Sequence, residues 1–125
     1  MILPWKIFCE EIRAGMVLRD EQFIFPDGEI KAKWIVILSN EIKENNYIYC
    51  LTTSQKHTYK NSYSDYVISD DPVFPIAECI IEVERINLLK LNSIKRKYEN
   101  GIIQYKGYLK EKTLKKVFEK IDESS

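Results

Sequence analysis

Three cysteines, four glycines, four prolines and one histidine are all that this 125-residue chain holds of the residues that mark metal sites, disulfide frameworks and loop-rich scaffolds. Cys9, Cys50 and Cys79 are odd in number and far apart, without a Cys-x-x-Cys pair, and His57 is the one imidazole. Neither a zinc site nor a disulfide framework is expected from that spacing, and no cofactor. Long apolar runs are also missing. The N-terminal apolar stretch is broken by Pro4 and meets Lys6, Glu10 and Glu11. It reads as neither a signal peptide nor a membrane span, so a cytoplasmic protein with no membrane partner is expected. Scarce Gly and Pro, with 45% hydrophobic and 30% charged residues, exclude fibrous and disordered classes. One domain over residues 1–125 is expected, long enough for a real core.

Net charge is absent as well, but only on average. Residues 1–84 carry eight Lys/Arg against fourteen Asp/Glu, a net −6, and residues 85–125 carry eleven against five, a net +6. Such asymmetry fits either an anion-binding face or a solvated surface.

What the chain does have is β character. Lys33-Trp34-Ile35-Val36-Ile37-Leu38-Ser39 is nearly unbroken apolar and rich in β-branched residues, as a strand covered on both faces reads. The polar segment Asn40-Glu41-Ile42-Lys43-Glu44-Asn45-Asn46 follows as a hairpin loop, then Tyr47-Ile48-Tyr49-Cys50-Leu51-Thr52-Thr53-Ser54-Gln55-Lys56 as a second strand. An antiparallel hairpin sets the start of its first strand beside the end of its second. Lys33 and the Thr52/Thr53 hydroxyls are therefore expected at one end of the sheet, as an anion site.

Around this hairpin, residues 1–14 read as a short helix or irregular arm. Strands are expected at Met16–Asp20, Gln22–Phe25, Tyr66–Ile68, Cys79–Val83 and Ile102–Tyr105, with Ile86–Leu91 continuing the fourth after a bend. Pro26-Asp27-Gly28 and Asp70-Asp71-Pro72 are turns. Residues 57–65 form a long polar loop studded with Tyr. Asn92 or Ser93 caps a short helix over Ile94–Tyr98 that Asn100-Gly101 closes. Leu114, Val117, Phe118 and Ile121 fall on one stripe of a C-terminal helix, and Phe118 is expected in the core. Lys95-Arg96-Lys97 reads as a solvated charge run, Cys50 and Cys79 as small buried hydrophobes, and Trp34 as a barrel or dimer-face residue. The fold class is mostly β with helical additions (α+β), a small antiparallel barrel with a C-terminal helix.

The order of motifs resembles the PemK/MazF-like toxins of bacterial type II toxin–antitoxin systems. Gly15 precedes the first strand, the Lys33–Ser39 run ends in Ser, the second strand ends in Thr52-Thr53-Ser54, and Lys106-Gly107-Tyr108-Leu109 leads into the last helix. The resemblance spans about residues 15–121 and implies an SH3-like barrel, a homodimer, an antitoxin partner and metal-independent cleavage of single-stranded RNA. Where the family has Arg-Pro, this chain has Lys33-Trp34. By position Lys33 and Thr52, with Thr53 as the alternative, would act on the scissile phosphate. Lysine meets a phosphate as a point charge, not as a planar two-pronged donor. RNA contacts are expected from Lys31, Ser54, Lys56, His57 and Tyr59, with Tyr59 and Tyr63 stacking on unpaired bases. A non-catalytic SH3-like module binding a protein or nucleic acid is the alternative, since small barrels host many functions.

Overall fold

The apolar runs pair into one antiparallel sheet. A computed structural model describes residues 2–53, 67–76 and 78–124 of the chain. After helix α1 (Trp5–Phe8) and a 3-10 turn at Cys9–Glu11 come β1 (Met16–Ile24), β2 (Ile30–Ile37), β3 (Asn46–Thr53), β4 (Val67–Ser69) and β5 (Cys79–Lys90). Helix α2 (Leu91–Glu99), β6 (Ile103–Tyr108) and α3 (Glu111–Ser124) complete the chain. The strand order is β4-β5-β3-β2-β1-β6. No ladder joins β4 to β6 among the described residues, so the sheet is a curled half-barrel with three helices. The expected mostly-β, α+β architecture with a C-terminal helix stands.

Both faces of the sheet are covered, as the unbroken apolar runs imply. Successive residues of a strand point to opposite faces. Met16, Leu18, Ile35, Ile37, Tyr47, Tyr49 and Leu51 pack on one side with Phe8, Ile94 and Tyr98 from α1 and α2. Val17, Val36, Leu38 and Cys50 pack on the other with Val67, Ile81 and Val117 of α3. Gly15 lets α3 come close. Its φ is +96°, and a Cβ there would stand 3.3 Å from Leu114 Cδ2.

α3 is held by a residue that reads only as a turn in the sequence. Asp71, 1% exposed, accepts hydrogen bonds from the Lys110 backbone N–H at 2.6 Å, the Thr113 hydroxyl at 2.5 Å and the Ser69 hydroxyl at 2.9 Å. One carboxylate thus joins the end of β4 to the start of α3, across the open edges of the sheet. The bond to Thr113 turns that side of α3 inward, with Thr113 and Val117 buried and Leu114 and Ile121 flanking. Phe118 is left 39% exposed, so its expected place in the core is wrong. Val117→Ala is expected to cost about 2–3 kcal/mol and Phe118→Ala less than about 1.5 kcal/mol. Chemical denaturation of the two variants checks this, and the reverse ranking would contradict the observed packing.

Other boundaries also move. The two strands expected at 16–20 and 22–25 are one, β1, with a register shift between Asp20 and Phe23. β5 is likewise continuous, its bend appearing as a slip in the β3–β5 register between Cys50 and Leu51. α2 starts earlier than read, at Leu91, and no side chain caps it. β6 runs three residues further, to Tyr108. Lys97 is not part of a solvated run: its side chain is 14% exposed and its Nζ lies 2.7 Å from the buried Asp20 carboxylate. The residue 57–65 loop lies outside the described residues.

Candidate functional site

The β2–β3 register pairs Ile35 with Leu51. Two residues further along each strand stand Lys33 and Thr53, with Trp34 and Thr52 between. These four line a cleft of about 280 Å³ at the end of the hairpin. Cys79, at the start of β5, lines it as well, and Phe74 and Ile76 close it from the segment after β4. The sequence-predicted juxtaposition of Lys33 with Thr52 and Thr53 is therefore present.

The side chains are not equivalent. By strand alternation Lys33 shares a face with Thr53, while Thr52 shares the other with Trp34, Cys50 and Cys79. The cleft lies at the rim, where residues of both faces reach it. Thr52 is 4% exposed and donates its hydroxyl to the Trp34 carbonyl at 3.2 Å. Thr53 and Lys33 are half-buried. Trp34 packs against Phe74 with ring centroids 5.9 Å apart, which fixes one wall.

Cys79 is the cleft residue whose place sequence reading missed. It is buried as expected, 4% exposed, and its sulfur lies 3.9 Å from the Thr53 carbonyl oxygen. Burial pushes its thiol above the ordinary range, with the neighbouring Thr52 side chain and the charge of Lys33 acting in the opposite sense. Cys50, behind it, is pushed up further by burial and the neighbouring Glu82.

Of the other expected contacts, Lys31 is exposed and paired with Glu29 at 3.1 Å, away from the cleft. Ser54, Lys56, His57 and Tyr59 lie outside the described residues, as does Tyr63. Among the described residues no group of three or more His, Cys, Asp or Glu is placed to hold a metal ion. No helix there is long and apolar enough to cross a membrane.

A larger hollow of about 370 Å³ lies on the face of Tyr49 and Leu51, lined by these and by Phe23, Phe25, Ile86 and Asn87 among others. No charged side chain appears in its described lining, which is mainly apolar and aromatic. The Lys33 cleft has the opposite chemistry: a cation, two hydroxyls and a thiol beside an aromatic wall. Such a set can neutralise and hydrogen-bond an anionic oxygen. Compared with known protein families and with curated proteins, the chain matches none.

Proposed function

We propose that this protein is an SH3-like barrel of the PemK/MazF-like kind, and that the Lys33 cleft is the site of a metal-independent endoribonuclease acting on single-stranded RNA. The observation that supports this reading is the meeting of Lys33, Thr52 and Thr53 in one cleft at the end of the β2–β3 hairpin. The ribose 2′-oxygen attacks the adjacent phosphorus, the bond to the 5′-oxygen breaks, and a cyclic phosphate and a 5′-hydroxyl result. The 2′-hydroxyl loses its proton and the leaving 5′-oxygen gains one. Lys33 offsets charge that builds on the phosphorane, a preorganised electrostatic role. A homodimer, and an antitoxin that silences the toxin, belong to the same reading.

The non-catalytic alternative has one observation in its favour. The Thr52 hydroxyl is buried and spent on a backbone carbonyl, as a structural threonine would be. Expression followed by mapping of RNA ends separates the two readings. Growth arrest with new 5′-hydroxyl ends supports the enzyme, and intact RNA supports the module.

The described lining of the cleft holds a cation and no carboxylate, a poor donor set for a divalent metal. Cleavage is therefore expected to continue in EDTA. Activity abolished by EDTA and restored by Mg²⁺ or Mn²⁺ would mean a different mechanism.

A further inference from the structure

Lys106 stands where the β1–β6 ladder slips. Val17 faces Gly107 and Leu18 faces Tyr105, so Lys106 is the extra residue of a β-bulge. A bulge takes a side chain out of the regular alternation and re-aims it. The distortion is anchored next door: Gly107 has a φ of +138°, and a Cβ there would come within 3.1 Å of Val73 Cγ2. The ammonium of Lys106 lies 5.5 Å from the centroid of the Trp34 ring. That ring is the wall of the Lys33 cleft.

The neighbouring cations are set against carboxylates. Arg19 pairs with Glu21, Lys31 with Glu29, Lys97 with Asp20 and Lys110 with Asp70. Lys106 is exposed, and among the described residues its ammonium meets the ring. A carboxylate partner would cancel its charge. An indole face holds an ammonium through its quadrupole and leaves the net charge in place. The side chain is thus held near the cleft wall without a carboxylate partner among the described residues, and its charge is available to a phosphate.

We infer that Lys106 is a second phosphate-binding cation of this cleft, gripping the backbone of a single-stranded nucleic acid beside Trp34. The inference rests on the RNA reading of the cleft. It adds a subsite: the strand is held at two backbone positions, by Lys33 and by Lys106 at the indole. A lysine contributes to backbone binding by releasing counterions, so its share is legible in the salt dependence.

The test is fluorescence anisotropy over a salt series, with a labelled 2′-O-methyl oligonucleotide of random sequence that has no free 2′-hydroxyl and is not cleaved. Lys106→Ala is expected to weaken binding and to reduce the slope of log K against log salt by about 0.7, the single-strand value for one phosphate. Lys106→Arg should restore the slope, since an arginine also stacks on the ring. Lys115→Ala, an exposed lysine of α3, should leave it unchanged. An unchanged slope in Lys106→Ala, with a reduced one in Lys33→Ala, would overturn the subsite and leave the cleft reading intact. Equal reductions in Lys106→Ala and Lys115→Ala would overturn it in favour of diffuse surface charge. No salt-dependent binding by the wild type would overturn both readings.

Discussion

On the endoribonuclease reading proposed above, replacing Lys33 with Ala is expected to slow RNA cleavage about a hundred- to a thousandfold, the scale of losing one preorganised donor to the transition state. The fold should be unaffected, because Lys33 is half-buried at the rim and outside both core clusters. Lys33→Arg should keep or raise the rate, since a planar guanidinium meets a phosphate with two parallel bonds. The two threonines are expected to differ. Thr52 already donates to the Trp34 carbonyl, so Thr52→Val should act mainly on stability, by about 1 kcal/mol. Thr53 shares the face of Lys33, and Thr53→Val should cost more in rate. Single-turnover cleavage of a mixed RNA pool, at matched thermal stability, measures all four. Equal rates throughout would place the chemistry elsewhere, and a larger rate loss in Thr52→Val would reverse the assignment of the hydroxyl.

Asp71→Ala carries the largest expected loss of stability, about 3–5 kcal/mol. The carboxylate serves three donors in a site 1% exposed, and removing it strands the Ser69 and Thr113 hydroxyls and the Lys110 N–H. Each buried group left without a partner costs about 1–3 kcal/mol, less whatever water recovers. For a domain of this size the melting temperature should fall by about 10–20 °C. Asp71→Asn, which keeps the shape and some acceptor capacity, should fall less. An Asp71→Ala protein with an unchanged midpoint would show that α3 is held by its apolar contacts alone. If Asp71 also keeps the Phe74 side of the cleft in place, Asp71→Ala should weaken oligonucleotide binding under conditions where the protein remains folded.

Much of this was legible in the residues, and for a local reason. The alternation of side chains along a strand ties a continuous run such as Ile35–Leu38 to burial on both faces, and α1, α2 and α3 cover those faces. Hairpin geometry then sets Lys33 at the same end as Thr52 and Thr53 whatever the rest of the chain does. Which hydroxyl stands on the cation's face follows only from the register, in which Ile35 opposes Leu51. Without that pairing Thr52 and Thr53 are interchangeable, and choosing between them by sequence order has no physical basis.

The sequence by itself determined the class of fold, the central hairpin and the meeting of its cation with its hydroxyls, because each depends on periodicity or on neighbours within one hairpin. The tertiary structure alone decided what depends on distant partners. Asp71 reaches Thr113 across 42 residues and Lys97 reaches Asp20 across 77, and each ties its helix to a remote strand or turn. The stripe of α3 therefore turned toward Thr113 and left Phe118 at the rim. Lys106 on β6 met Trp34 on β2 across β1, a contact between strands that are not neighbours in the sheet. A hydrophobic stripe fixes the buried side of a helix to within a residue or so, and a single buried hydrogen bond from a remote segment is enough to choose within that range.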